Sequence, residues 1–405
     1  MVDLLARRAP KAPGTFDRET ALEGVLAKVP SLRKRYSIHR VGELTYLDRI
    51  GIPVVTAMVP KSEDALGVYN GKGRTRAEAL VGAVMEACER QTAAAFHPPT
   101  RPVPLGEIQK HLDLHLLQRY ESSGPALDCV QGVDLLSGAR IDVPLALVAA
   151  PWRGTPTFPT THTSGLASGS TILEAIYHAL MELIERHIWS LTHVRAHVVP
   201  GMLGGEPPKF DLAAGERIEQ PTTHPEVDRL CEQVRAAGLD LRLLLLREPD
   251  LPYMIHAAIL EPSADCIEVA CGIGASWSPA HAAIRAITEA AQSRLVDIQG
   301  AREDIVRRKR PRMQRWWAEG TSTTIVPFAS LADHSSFDLA DDLAKLLRSA
   351  QIIAPSVAMV ELPAEDIAVV RVIVPEFESY LVDGRIGAVM RREVATLSER
   401  LASHR

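Results

Sequence analysis

Acidic side chains at helical spacing recur three times in this chain, each time behind a glycine-bearing loop. Ala167 to Arg186 reads ASGSTILEAIYHALMELIER, which places Glu182, Glu185 and Arg186 at i, i+3 and i+4 on one helical face. Gly71 to Arg90 (GKGRTRAEALVGAVMEACER) repeats the layout with Glu86, Glu89 and Arg90. Gly274 to Arg294 (GASWSPAHAAIRAITEAAQSR) repeats it with Glu289 and Gln292, and has Arg294 close behind. The ungapped alignment also matches Ala79, Ala175 and Ala282, and, four places earlier, Thr75, Thr171 and Ser278.

These residue types suggest a chemistry. Thr75, Thr171 and Ser278 stand where helix N-caps belong, and Glu78 and Glu174 complete Thr-x-x-Glu capping boxes. The free N–H groups and positive dipole end of such a helix favour phosphate in the preceding loop. Two turns on, each helix presents a pair of acids or amides. Gathered together, five carboxylates and one amide would repel one another unless divalent cations lay between them. Mg2+ prefers oxygen ligands and accompanies phosphate. The expectation is one site of three helices holding nucleotide phosphates through Mg2+. A single Glu-x-x-Glu-Arg is commonly a solvated helix face; the aligned triple is what lifts the reading above that.

The elements that must position these residues alternate. Strands are expected over Tyr36–Val41, Val54–Val59, Asp142–Ala150, Leu241–Leu246, Pro252–Glu261, Ile267–Gly274, Val357–Glu361 and Ile367–Pro375. Helices are expected over Thr20–Val29, 76–95, His111–Tyr120, 172–190, His224–Ala237 and Ser336–Ser349, with a mixture of helix and tail over Arg385–Ser403. The opening dozen residues are expected to be loose. The pattern reads as α/β, mixed α+β, with internal repetition. No Rossmann fingerprint, Walker loop or Gly-x-Ser-x-Gly elbow is present.

The bulk numbers narrow the function. The 405 residues suffice for a large core, and a net charge of −5 disfavours nonspecific binding to nucleic acid or anionic membrane. The 5 cysteines are odd in number and include no Cys-x-x-Cys pair, which suits a reducing cytoplasm. Cys88 reads as a small buried residue. No signal peptide or membrane-length apolar run is visible, so a cytoplasmic, soluble protein is expected. His111 and His115 have zinc-compatible spacing but no third ligand in register, and His187, His193 and His197 read as helix-end packing. A basic run (Arg302, Arg307, Arg308, Lys309, Arg310, Arg312) is the one local exception to the acidic balance.

Together Gly71-Lys72-Gly73, Glu86-x-x-Glu89-Arg90, Ser164 to Gly169, Glu174, Glu182-x-x-Glu185-Arg186, Thr288 to Arg294 and the turn Leu47 to Val54 resemble the YcaO-domain family. The resemblance covers residues 36–375. It implies a YcaO-like fold of repeated strand–loop–helix units around one ATP site, with an extension over 1–35, a catalytic domain over 36–380 and a tail over 381–405. It implies an ATP- and Mg2+-dependent enzyme that activates a peptide backbone amide by O-phosphorylation, as in the biosynthesis of ribosomally made, modified peptides. By the same resemblance Glu86, Glu89, Glu182 and Glu185 hold Mg2+, with Glu174 and Gln292 in the same shell. Lys72, Ser168, Ser170 and Glu289 join the nucleotide contacts, and Arg90, Arg186 and Arg294 meet phosphates or fix carboxylates. The catalytic group itself is not assigned. Two positions depart from the family pattern: Gly82 and Ser170 stand where Ser and Asn are usual.

The chain ends Leu401-Ala402-Ser403-His404-Arg405, unlike the proline-rich C-terminus of azoline-forming members, and it has no fused leader-peptide-binding domain. The expectation is therefore the thioamide-forming branch. Its partners are a peptide or protein substrate, a TfuA-like protein, a sulfur carrier and a second copy of the chain. A separate delivering protein suits scarce sulfide, because it raises the local concentration. The alternatives are an azoline-forming cyclodehydratase and a non-catalytic accessory factor for a ribosomal-protein-modifying enzyme.

Overall fold

The computed structural model describes residues 7–116, 126–154, 163–195, 215–262, 267–301 and 324–403. In chain order these form α1 (Leu22–Arg35), β1 (Arg40–Glu43), β2 (Val54–Met58), β3 (Val68–Lys72) and α2 (Arg76–Ala94). Next come β4 (Arg101–Pro104), β5 (Ala126–Asp134), β6 (Arg140–Pro144), β7 (Leu166–Gly169) and α3 (Ile172–His193). Then follow β8 (Glu216–Ile218), α4 (Pro225–Ala236), β9 (Asp240–Leu246), β10 (Tyr253–Pro262), β11 (Ile267–Ser276) and α5 (Pro279–Gln299). The last are β12 (Ile325–Val326), α6 (Leu339–Ile353), β13 (Ala358–Leu362), β14 (Ala368–Ile373) and α7 (Ala388–Ser403). The class is mixed α/β, as expected.

Two compact units divide the chain: the first comprises 1–10, 92–206 and 338–405, the second 11–91 and 207–337. The second unit has a sheet in the order β1-β2-β3 and another in the order β11-β10-β9-β8-β12. Alternation along β9 and β10 sends Leu241, Leu243, Leu245, Ile255, Ala257 and Ile259 into one core with Ala283, Ile284 and Ile287 of α5. A fully buried Leu or Ile contributes about 1.5–3 kcal/mol, so this face fixes how α5 lies on its sheet. The first unit has the antiparallel order β4-β5-β13-β14-β7, with β6 on β5, and α3 packs on β7, β14 and α6.

The three acid-bearing helices thus each follow the end strand of a sheet: β3, β7 and β11. The aligned alanines mark where strand and helix cross. A Cβ on Gly71 would lie 2.2 Å from the Ala79 carbonyl oxygen, one on Gly169 2.6 Å from the Ala175 nitrogen, and one on Gly274 2.4 Å from the Ala282 carbonyl oxygen. Only glycine facing a small residue fits so close a crossing. Gly82 belongs to the first of these contacts, since its own Cβ would stand 3.3 Å from the Gly71 Cα. Serine there would crowd the strand.

Several boundaries differ from the sequence expectations, for local reasons. The run Asp142–Ala150 ends as a strand at Pro144 and turns into one helical turn, Leu145–Val148. The expected helix at His111–Tyr120 is a 3-10 turn at Leu114–Leu116 within the described residues. The N-terminal residues from Arg7 onward are fastened rather than loose: Ala9 donates to Asp338 Oδ2 at 2.9 Å and accepts from Leu339 N–H at 2.8 Å. The basic run from Arg302, His197 and Cys266 lie outside the described residues. Among the described residues no helix is long and apolar enough to cross a membrane.

Candidate functional site

In the second unit, the free edge of β3 organises the expected residues. At Asn70 the backbone N–H and C=O both point away from β2. The N–H donates to Glu86 Oε2 at 3.1 Å, and the C=O accepts from Gln292 Nε2 at 3.0 Å. One side chain from α2 and one from α5 therefore close the strand edge, as unpaired edge groups require. Two residues on, Lys72 forms an ion pair with Glu289 of α5. Glu89 lies one turn beyond Glu86, half-buried, beside Cys88. Burial pushes the Cys88 thiol up, and the Glu89 charge adds to this, so Cys88 is an inert core residue.

The arginines of this unit serve its architecture. Arg90 makes a two-bond pair with Asp64, at 2.9 Å each, and Asp64 also accepts from the Tyr69 hydroxyl at 3.1 Å. Burial opposes the Arg90 charge, but Asp64 outweighs it and the guanidinium is held firmly protonated. Arg294 bonds Asp48 at 2.8 Å and Glu261 at 2.6 Å. Both thus hold carboxylates within the second unit, and these are not the carboxylates of the acidic motifs.

In the first unit, α3 repeats part of the pattern. Glu182 Oε2 accepts the Gly165 N–H at 2.8 Å, Arg186 pairs with Glu182 Oε1 at 2.8 Å, and Arg186 Nη1 donates to Ser164 Oγ at 2.6 Å. Glu185 is buried, as is Ser168. Both capping boxes form: the Glu174 N–H donates to Thr171 Oγ1 and the Glu78 N–H to Thr75 Oγ1, each at 3.2 Å. Their carboxylates reach back to the N–H groups of Ser170 (2.8 Å) and Arg74 (2.7 Å).

The helix starts expected to take phosphate thus hold the chain's own carboxylates, which satisfy the same dipole. On α5, Ser278 is no side-chain cap; its hydroxyl donates to Asp333 at 2.8 Å.

The sequence reading passed over Asn70. It is 3% exposed, and among the described residues neither its Nδ2 nor its Oδ1 has a hydrogen-bond partner. The signal was present: an amide in the middle of a strand, where Asn is unfavourable, two places before the loop lysine. Asp64 and Glu261, which anchor the arginines, carried no local signal, because they come from distant stretches of chain; Asp48 lies in the turn Leu47 to Val54 that the resemblance includes, with no role assigned to it.

The donor chemistry fits Mg2+ and phosphate. Each unit supplies hard carboxylate oxygens with cationic side chains beside them, Lys72 and Arg90 in the second and Arg186 in the first. Among the described residues no three His, Cys, Asp or Glu side chains form a ready metal cage. The buried Asn70 amide adds an unsatisfied oxygen and an unsatisfied N–H, groups that in a native interior call for a ligand or water.

A family model described as YcaO cyclodehydratase, ATP- and Mg2+-binding, matches residues 70–378. A protein of Methanothermobacter thermautotrophicus is 32% identical over 380 residues, 88% of this chain and 94% of that one. A protein of Rhizobium leguminosarum bv. trifolii, named for its place in the tfuA 3′ region, is 32% identical over 333 residues, 77% of this chain and 74% of that one. Among solved structures, YcaO from Methanopyrus kandleri bound with AMPPCP and Mg2+ superposes with a TM-score of 0.72 at 24% identity, covering 94% of this chain and 98% of that one. A heterocyclase in complex with substrate and cofactor gives 0.74 at 17% identity, covering 94% and 55%. At these identities the two structures speak for the fold.

Proposed function

The chain belongs to the ATP- and Mg2+-binding YcaO family, and from that premise we propose that it activates a peptide backbone amide with ATP and exchanges the amide oxygen for sulfur. Hydrosulfide adds to the carbonyl carbon. The former carbonyl oxygen takes the γ-phosphoryl group, and ADP leaves. Phosphate then departs with that oxygen and the sulfide proton as the C=S bond forms. Bound Mg2+ supplies charge neutralisation for the phosphates.

The observation that carries this reading is the shared anchoring of the aligned acids. Glu86 and Glu182 each have one carboxylate oxygen fixed by a backbone N–H, from Asn70 and Gly165. A carboxylate held in this way meets a cation with little reorganisation. In this reading Glu86, Glu89, Glu182 and Glu185 are the Mg2+ ligands, and Lys72, Arg186 and Gln292 face the phosphates. Glu174, Ser170 and Ser168 hold the loop before α3, Glu289 reserves Lys72, and Arg90 and Arg294 brace their own unit.

Sulfur transfer with a TfuA-like partner is supported by the relative named for the tfuA 3′ region. The description of the family as cyclodehydratases supports the second reading, azoline formation, in which a substrate Cys, Ser or Thr supplies the nucleophile.

Mass spectrometry of a defined peptide library, treated with the protein, ATP, Mg2+, sulfide and a TfuA-like protein, tests the proposal. Replacement of one oxygen by sulfur is the expected product. Loss of one water per site would establish the azoline reading instead. A protein that turns over no ATP under any of these conditions would be left with the accessory role.

A further inference from the structure

We infer that Asn70 is a ligand-contacting residue of the β3 arm, its side-chain carboxamide donating through Nδ2 to a phosphate oxygen and accepting through Oδ1 from water around the cation. The inference rests on the nucleotide reading above and extends it to a residue outside the acidic motifs.

Four observations converge on this amide. Its backbone is already anchored on both sides, by Glu86 and Gln292, so the side chain has no part in closing the strand edge. Among the described residues its donor and its acceptor are both without a hydrogen-bond partner, while the residue is 3% exposed. Thr56, directly across on β2, turns its hydroxyl to the Tyr69 carbonyl at 3.3 Å and not to Asn70. The alternation of a strand puts Asn70 on the face shared with Lys72 and opposite Gly71, which meets α2.

That face carries the Lys72–Glu289 ion pair, whose side chains retain 23% and 31% exposure. A half-exposed pair next to a buried, unsatisfied amide is a natural placeholder. An incoming phosphate oxygen competes with Glu289 for the ammonium group, and as the pair parts the amide gains a partner. A carboxyl in the same position could escape its cost by taking up a proton; a carboxamide has no such route. An apolar residue of the same size would pack there without penalty, so the amide is understandable as a group kept for a ligand.

The test is calorimetric titration of ATP with Mg2+ into the full chain, its Asn70→Leu variant and Glu86→Gln, beside thermal unfolding of each without ligand. Asn70→Leu is expected to unfold at or above the wild-type temperature, because an unsatisfied buried polar group has been removed. Its dissociation constant is expected to rise about tenfold or more, the scale of a hydrogen bond to a charged group. Wild-type affinity in Asn70→Leu, with affinity lost in Glu86→Gln, overturns the Asn70 inference and leaves the nucleotide reading standing. A wild-type chain that binds no ATP with Mg2+ overturns both. Asn70→Ala gives the same readout should Asn70→Leu not fold.

Discussion

The far halves of α3 and α5 descend from the same aligned pattern and are held in opposite ways. On α5, Arg294 is clamped by charge, to Asp48 and Glu261. On α3, Arg186 pairs with Glu182 of its own helix, and the helix end is held by neutral bonds, with the part-exposed Arg195–Glu393 ion pair just beyond it. His187 Nδ1 accepts the Glu378 N–H at 2.9 Å, its ring stacks on Phe377 with centroids 4.9 Å apart, and Ser190 Oγ accepts the Leu381 N–H at 3.3 Å. The residues that repeat, Gly71 with Ala79 and their counterparts, serve the strand–helix crossing. The anchoring of Glu86 and Glu182 to a backbone N–H also repeats, but the partners of the arginines and of the helix ends do not. A sequence repeat therefore reports shared packing more faithfully than shared partners.

The contrast predicts unequal costs. Arg294 and Asp48 keep only 10% and 4% side-chain exposure, so Arg294→Met, which strands the buried Asp48 carboxylate while Glu261 keeps Arg49, is expected to cost about 3 kcal/mol in urea unfolding. Arg186→Met, at a pair about a quarter exposed on each side, is expected to cost under about 1 kcal/mol. Equal losses would erase the distinction between the two helices.

Next in size is a pH effect on the segment that grips α3. Burial pushes the Glu376 carboxyl up to about 7, with the Asp113 charge adding to it and Arg385 opposing it. The folded chain keeps this proton above the pH at which the unfolded chain releases it. The resulting stability is full below the unfolded value, near pH 4.5, and is lost as pH rises through 7. Glu376→Gln is expected to remove that decline, and to be more stable than wild type at pH 8 relative to pH 4.5 by roughly 3 kcal/mol. Parallel stability–pH curves for the two proteins would show that Glu376 does not carry the effect.

His187→Phe keeps the stacking but orphans the Glu378 N–H, at an expected cost of about 1–3 kcal/mol. His187→Asn, which restores an acceptor, should recover part of it; no recovery would mean that the ring, not the bond, holds the end of α3. A small effect, of the order of that at Arg186, lies at the helix starts. Thr171→Ala removes a cap bond and is expected to cost about 1 kcal/mol. Ser278 makes no cap bond, so Ser278→Ala reports only its bond to Asp333. A matched pair of losses that persists when Asp333 is also replaced by Ala would return Ser278 to a capping role.

Much of the frame was legible because it is local. The period of the apolar residues gave α2, α3 and α5, and the capping boxes at Thr75 and Thr171 formed as the spacing demanded. What was not legible was non-local. Nothing near Arg90 or Arg294 announces Asp64, Asp48 or Glu261, which folding brings from other elements. At the helix starts Glu78 and Glu174 bond the N–H groups of Arg74 and Ser170, a contact that the capping-box spacing already contained. Asn70 escaped notice because one polar residue in a short strand looks like an irregularity until the structure shows its backbone fully bonded and its side chain without a hydrogen-bond partner among the described residues.

Under the proposed function, Glu86 and Glu182 are each needed for nucleotide binding through Mg2+. The most direct measurement is calorimetric titration of ATP, with and without Mg2+, into the wild-type chain, Glu86→Gln and Glu182→Gln, each first checked for an unchanged circular dichroism spectrum. The account predicts binding that requires Mg2+ and weakens by at least about tenfold in either variant. Mg2+-independent binding, or wild-type affinity in both folded variants, would contradict it.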